Sequence, residues 1–417
     1  MMMKFVKWLG LTFGCMALWL ALNIMSMNQG WFVSSDIPHQ DNNAFIQSIK
    51  HSLDESSKGN AVMHLITAGK KFDSYSLSKG KPVDSDTVFG VASVGKWVAA
   101  TAVMTLVEKG KLDLDKPVSA YLTRWKLPKS AFNNDDVTVR RLLSHTAGIT
   151  DGLGHNGFKT REQIQPLSEH LAQAKDADDG VEGKVIVGIA PGSTFKYSGG
   201  SYNLLQLLVE EVSGKTFEDY MQGAIFTPLK MNNTSYRHDE ISNLAQYFDE
   251  NGEVRNYPFY TSLAATGLYT TANDLHKFLS IYFPGANNTI LSEASLLEMR
   301  KPQASTMGID IWGLGTMLFA DNNEGDFIIG HGGQSPSLNA TVRVNPANGN
   351  AIILLETGNR SLAADTATKW TLWETGNPDI YMLKNLIPAM LKNVSIGCLV
   401  MFLVSLVVAW KKRSKSD

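Results

Sequence analysis

Apolar residues follow different patterns at the ends of this chain and in its middle. Trp8 to Met27 is almost wholly apolar or small, and Val394 to Trp410 is apolar and uncharged over 17 residues. About 20 such residues cross a bilayer as a helix. The first run therefore predicts a span, and the second a short one unless Ile387-Pro388-Ala389-Met390-Leu391 joins it. Between them, Phe45, Ile46, Ile49 and Leu53 have helical spacing, with Asp41 or Asn42 as cap. Ala61 to Thr67 and Phe72 to Leu77 read as strands joined at Ala68-Gly69-Lys70-Lys71. Trp97, Ala100, Met104 and Val107 share a helix face that Gly110 closes, and Ser201 to Val212 is a second helical run. Strand patterns return at Ser337 to Asn345 and Ala351 to Glu356, joined by Pro346-Ala347-Asn348-Gly349-Asn350. Strands at both ends with helices between predict an α+β fold. Its antiparallel sheet unites N- and C-terminal strands, flanked by helices, beside a helix-rich subdomain.

Charge orients the ends. Lys4 and Lys7 precede the first apolar run, and Lys411, Lys412, Arg413 and Lys415 follow the second. Basic residues stay on the cytoplasmic side, so both termini are expected inside and the middle on the periplasmic or extracellular side of a cell (inner) membrane. Lys384 and Lys392 weaken this bias without reversing it. A cleaved signal peptide is the rival reading of the N-terminus, but Asn23-Ile24-Met25-Ser26-Met27-Asn28 lacks a small-x-small cleavage site. The expected organisation is an anchor (1–30), a tether with a first helix (31–60), a large domain (61–360), a juxtamembrane segment (361–386) and a C-terminal span with a basic tail (387–417). A net charge of −2 points away from a nucleic-acid partner. Both cysteines, Cys15 and Cys398, fall in the apolar runs, so the large domain has no disulfide.

Candidate chemistry begins at Ser93-Val94-Gly95-Lys96. A lysine three residues after a serine on a helix can reach its hydroxyl, and an adjacent amine can take the proton that keeps serine a poor nucleophile. The spacing occurs four times, at Ser76, Ser78, Ser93 and Ser193, and only Ser93 opens a long helical pattern. An ordinary N-capping serine remains the competing reading. Gly90-x-x-x-x-Gly95-Lys96 also approaches a phosphate loop, but Trp97 stands where a magnesium-binding Ser or Thr belongs. Gly152-x-Gly154-x-x-Gly157 has no strand before it and reads as a flexible loop.

Two further segments carry candidates. Tyr197 sits among Gly, Ser and Lys at a helix entrance, where exposure and a nearby ammonium are expected to lower its pKa and fit it to act as a base. His331-Gly332-Gly333-Gln334 precedes the late strand, and its glycines let a substrate approach the backbone, with the Gln334 N–H as an oxyanion donor.

Together these segments resemble the serine β-lactamase and penicillin-binding-protein superfamily, in its class C-like branch of esterases and D-peptidases. The resemblance rests on Phe89-Gly-Val-Ala-Ser93-Val-Gly-Lys96, Val139-Arg-Arg-Leu-Leu-Ser-His145-Thr-Ala-Gly148, Phe195-Lys-Tyr197-Ser-Gly-Gly, Thr266-Gly-Leu-Tyr-Thr-Thr-Ala-Asn-Asp274-Leu and Gly330-His-Gly-Gly, in that order. It implies Ser93 as acylated nucleophile, Lys96 as its activating partner, Tyr197 as second base, and the N–H groups of Ser93 and Gln334 as oxyanion hole. It leaves open which of Lys96 and Tyr197 takes the first proton. Ser144, His145 and the Asp274 region read as scaffold.

Two departures narrow the expectation. The Tyr-x-Asn element ends in Gly199, and Lys-Thr-Gly is replaced by His331-Gly332-Gly333. A histidine is mostly neutral at pH 7, so an anchor for a substrate carboxylate is missing. The resemblance thus implies a hydrolase of ester or amide bonds in a small-molecule or peptide substrate, with β-lactam turnover weak or absent. With the two apolar runs it is expected to be membrane-tethered, and no metal or cofactor is expected. The alternative is a non-catalytic sensor or binding module, against which the retention of Ser93, Lys96 and Tyr197 argues.

Overall fold

A computed structural model describes residues 2–28, 30, 33, 35–39, 41–150, 155–287 and 289–413. Gly152 and Gly154, Lys415 and parts of the 28–43 tether lie outside the described residues. The chain runs through α1 (Met2–Asn28), α2 (Asn42–Ser56), the hairpin β1 (Ala61–Thr67) and β2 (Lys70–Leu77), α3 (Val94–Glu108) and α4 (Gly199–Ser213). Six strands follow: β3 (Ala304–Thr306), β4 (Ile309–Trp312), β5 (Met317–Asp321), β6 (Phe327–Gln334), β7 (Leu338–Val344) and β8 (Ala351–Thr357). A long helix, α5 (Ile380–Arg413), ends the described chain. The chain forms two compact units, 42–367 and the combined ends 1–41 with 368–417.

In the larger unit the eight strands form one antiparallel sheet in the order β2-β1-β8-β7-β6-β5-β4-β3. The two ends of the unit meet where Ala61 pairs with Glu356 and Ile66 with Ala351. β7 and β8 are buried along their whole length, which is why they read as nearly unbroken apolar runs rather than alternating ones. The β1–β2 turn is tighter than its sequence suggests. Ala68 and Gly69 alone make it, both at positive φ, the geometry that matches strand twist in a two-residue hairpin.

α2 buries Phe45, Ile46, Ile49 and Leu53, the four residues of its predicted stripe. α3 differs from its predicted stripe, because every residue from Val94 to Leu106 is buried. A helix apolar all round belongs inside a core, and α3 packs with α4, β6 and β7 around it. Trp97 is fully buried, donates to the Tyr282 hydroxyl at 2.8 Å and meets Phe278 edge-on at 5.1 Å. This agrees with the reading of Trp97 against a phosphate loop: position 97 is a core anchor rather than a ligand position.

The smaller unit holds two helices long and apolar enough to cross a membrane, over Trp8–Met27 and Asn385–Trp410. α5 continues through Pro388, so the 387–391 segment does join the second run. The helices pack antiparallel, with Trp8 donating to the Ser405 carbonyl and Trp19 to that of Asn393. Gly397 leaves the space that the Trp19 indole fills, since a Cβ there would lie 2.1 Å from its Nε1. Cys15 and Cys398 are free thiols.

Candidate active site

Ser93 sits at the mouth of α3, after Ala92 in the left-handed region at φ +44°. A non-glycine residue there costs on the order of 1 kcal/mol, and such strain gathers at functional turns. Ser93 occupies the N-cap position with helical φ and ψ, yet its side chain makes no capping hydrogen bond. That bond is ordinarily worth about 1 kcal/mol. Instead Ser93 Oγ accepts from Lys96 Nζ at 3.0 Å. Lys96 is itself 3% exposed and also donates to the Ala265 carbonyl at 2.6 Å. The ammonium further lies over the rings of Tyr197, at 5.0 Å, and Tyr202, at 5.7 Å.

Tyr197 is held by its neighbours in sequence. Lys196 N–H donates to the His145 carbonyl at 2.8 Å, and Ser198 N–H donates to His145 Nδ1 at 3.2 Å. Between these clamps the Tyr197 ring lies 4.3 Å from the imidazole, centre to centre. Ser198 then caps α4 by accepting from Ser201 N–H. His145, at φ +56°, is the residue that places Tyr197. The sequence reading left it as scaffold, and its only signal was a histidine just past the Val139–Leu143 helix.

The expected pKa of Tyr197 is reversed. Burial pushes the phenol well above its ordinary value, and the hydrogen bond with Ser93 only partly opposes this. Tyr197 is half-buried, with its hydroxyl enclosed. Desolvation dominates, and the phenol is protonated at neutral pH.

His331 precedes the late strand, β7, as expected, and itself lies within a strand, β6. Its neighbouring glycines are demanded by packing. A Cβ on Gly330 would meet the Val342 carbonyl oxygen at 2.0 Å, and one on Gly333 the Val91 carbonyl oxygen at 2.0 Å. Gly333 thus lets β6 touch the turn that carries Ser93. β5 pairs with β6 only as far as Gly330 opposite Met317, so this edge of β6 is open beyond that point. The Gly333 carbonyl accepts from Asn339 Nδ2 at 3.1 Å on the β7 side, and a trans peptide plane sends the Gln334 N–H the opposite way. The Gln334 side chain leaves the site and donates to the Arg360 carbonyl at 2.9 Å.

Trp312 completes the wall: it packs edge-on against His331 at 5.4 Å and His145 at 4.9 Å, and donates to the Leu143 carbonyl at 3.2 Å. His331 is 1% exposed. Burial, with Lys96 nearby, drives its imidazole down to about 3, so it is neutral at pH 7. His145 is likewise pushed well down by burial, Lys96 and His331. Among the site residues predicted from sequence, the structure brings Ser93, Lys96 and Tyr197 into contact and sets Gly333 against the Ser93 turn.

Position 199 explains its own departure. A Cβ there would lie 2.6 Å from His155 Nε2, so no amide side chain fits while His155 holds that space. Asp274 is fully buried and accepts from Asn233 N–H and the Thr234 hydroxyl, which is a fold-holding role.

Comparisons with known proteins place the fold. The Beta-lactamase family profile matches residues 45–377. The putative penicillin-binding protein PbpX of Bacillus subtilis (strain 168) is 29% identical over 233 residues, covering 54% of this chain and 54% of that protein. The chain thus spans about half the length of the curated relatives it matches. Among solved structures, the octameric penicillin-binding protein homologue from Pyrococcus abyssi superposes with a TM-score of 0.65 at 24% identity, over 79% of this chain and 77% of that one. The D-stereospecific amidohydrolase from Streptomyces sp. gives 0.62 at 22%, over 81% and 99%. With the sheet, the Ser93–Lys96 contact and a family match over most of its length, this chain belongs to the Beta-lactamase family.

Proposed function

We propose that this protein is a serine hydrolase that cleaves ester or amide bonds through an acyl-enzyme on Ser93. The observation that carries the reading is the 3.0 Å contact between Lys96 Nζ and a Ser93 hydroxyl that forgoes helix capping. In the proposed cycle the Lys96 ammonium first gives up a proton to solvent, and the resulting amine takes the Ser93 proton as Oγ bonds to the substrate carbonyl carbon. Because Tyr197 is protonated in the free enzyme, it acts as acid first, giving its proton to the leaving group as the C–O or C–N bond breaks. Lys96 returns a proton to Tyr197, so the net transfer is one proton from Ser93 to the leaving group. Water then attacks the acyl carbon, and Ser93 regains its hydroxyl proton. The N–H groups of Ser93 and Gln334 form the oxyanion hole, where each donor is worth roughly 10²-fold or more in rate.

Neutral His331 makes the wall of this site apolar and uncharged, which suits acyl groups without a carboxylate and disfavours β-lactams. D-amino-acid amides are one class to test. A fluorophosphonate probe tests the assignment: labelling of the wild-type chain and its loss in Ser93→Ala are expected. No labelling in wild type would favour the non-catalytic binding module.

We further propose that α1 and α5 span the membrane, with both termini cytoplasmic and the larger unit outside. Their length and composition support this. A reporter fused after Asp417 should be active only in the cytoplasm, and activity on the other side would refute the topology.

A further inference from the structure

Behind the Tyr197 turn lies a second polar cluster that the acyl chemistry does not use. Backbone pairing of His155 with Ala177 brings His155 beside Asp176, and the short helix Leu167–Ala172 presents His170 to the same carboxylate. The His155 side chain is 6% exposed, and those of His170 and Asp176 are 0% exposed. Their ligand atoms lie within 4.8 Å of one another.

The two imidazoles are oriented alike. His155 Nδ1 is 3.9 Å and His170 Nε2 is 2.6 Å from Asp176 Oδ1. The opposite nitrogens, His155 Nε2 and His170 Nδ1, are 3.3 and 3.4 Å from the side-chain nitrogen of Asn203 on α4. Three buried atoms of this group have no hydrogen-bond partner: His155 Nδ1, Asp176 Oδ2 and Asn203 Oδ1. A half-turn of the Asn203 amide exchanges its oxygen and nitrogen, and the carbonyl then accepts an N–H from both rings. As the structure stands, His170 Nε2–H donates to Asp176 Oδ1 at 2.6 Å. Binding of a cation therefore requires that proton to move to Nδ1, where the turned Asn203 carbonyl accepts it, leaving His155 Nδ1 and His170 Nε2 to face the ion. A carbonyl behind each ligating histidine is the usual outer support of a metal site.

We propose that His155, His170 and Asp176 bind one divalent transition-metal ion, zinc by donor set, with water as fourth ligand. Two imidazoles and a carboxylate are the ligand types zinc takes in tetrahedral sites. Bonds of 2.0–2.2 Å at a tetrahedral angle put ligand atoms about 3.4 Å apart. The two His–Asp separations of 2.6 and 3.9 Å fall on either side of that value, and all three ligand atoms lie within 4.8 Å of one another, so shifts of about an ångström complete the site. The ion ties His155 to His170 and Asp176, Asn203 of α4 backs both rings, and His155 is thereby held against Gly199, two residues after Tyr197. It is a positioning element for the Tyr197 turn and touches no reacting atom. The sequence offers no spaced motif for it, and the sequence reading assigned no metal.

The inference is independent of the acyl-enzyme reading, and one experiment separates them. Full-length protein in detergent is stripped with a chelator and titrated with ZnCl2 against a chromogenic zinc indicator. One ion per chain is expected, with equal affinity in Ser93→Ala. Asp176→Asn, which keeps the volume and hydrogen bonding of the side chain, should weaken binding at least tenfold, as should His170→Ala. Asn203→Leu should lose about tenfold or more, the range of outer-support mutations. Co²⁺ in place of Zn²⁺ should give the intense visible absorption of a tetrahedral centre, absent in Asp176→Asn. Zinc should raise the melting temperature of wild type and leave that of Asp176→Asn unchanged, which needs only a folded variant. No stoichiometric zinc in wild type, or unchanged affinity in folded Asp176→Asn and His170→Ala, would overturn the site and leave a purely hydrogen-bonded cluster.

Discussion

Two pairs of buried histidines flank the Tyr197 turn, and they are built in opposite ways. On the sheet side, His145 and His331 face Trp312, Tyr197 and the Lys96 ammonium, with main-chain groups at their Nδ1 atoms. Their remaining nitrogens, Nε2 in both, are unpartnered and buried, and no carboxylate is in contact with either ring among the described residues. On the helical side, His155 and His170 enclose the Asp176 carboxylate. Rings beside a cation and aromatics stay neutral and supply shape, because protonation would place a second positive charge in a dry site. Rings around a carboxylate gather ligand atoms of opposite charge preference, which is what a cation needs. The same residue type thus lines a reaction cleft on one side and forms a candidate metal cradle on the other.

The largest expected effect separates the two sides. Ser93→Ala should lower ester or amide hydrolysis by at least about 10³-fold while leaving melting temperature and zinc content unchanged. A loss of zinc in that variant would break the division between the sites. Tyr197→Phe should cost about 10²-fold in kcat, within the range for a lost general acid. If Tyr197 serves first as acid, the loss should be steepest for poor leaving groups, and equal losses across a leaving-group series would contradict that order.

Gly199→Asn tests the boundary between the clusters. Its Cβ would collide with His155 Nε2, and overpacking of this kind costs about 1–3 kcal/mol. Thermal unfolding should show that loss in the single variant and its relief when His155→Ala is added. Failure of the second change to restore stability would mean that His155 does not own the space.

The last test concerns pH. His331 falls to about 3 in the folded protein from an ordinary value near 6.5, so between those values the unfolded chain binds more protons than the native one. Stability from this group is complete above pH 6.5 and declines as pH falls towards 3, by up to about 1.4 kcal/mol per pH unit. His331→Asn should flatten that part of the stability–pH curve measured by urea unfolding, and an unchanged slope would show the ring is not desolvated as described.

Local periodicity made much of the fold legible, though not all of it. The α2 stripe, the β1–β2 hairpin, α4 and the last two strands lie close to where apolar spacing places them. β3 to β6 were not legible, because short strands interrupted by glycines carry little alternation. Gly330 and Gly333 look like loop residues in sequence and are strand residues in space, where neighbouring carbonyls leave no room for a Cβ. At the site, Ser93, Lys96 and Tyr197 were readable from order and spacing, whereas His145, Trp312 and the Ala265 carbonyl were not. Their roles depend on segments far apart in the chain meeting in one cleft.

Sequence alone put Ser93 and Lys96 within reach of each other, since three residues on a helix fix their separation through local backbone geometry, and the structure chose their contact over capping. It also determined the two apolar helices, which follow from composition over a short window. Tertiary structure decided the ionisation of Tyr197 and His331, because desolvation depends on what surrounds a group rather than on what precedes it. It decided likewise that Gly199 faces His155 and that two histidines and an aspartate share one buried space. Those are consequences of packing between segments, and no local pattern encodes them.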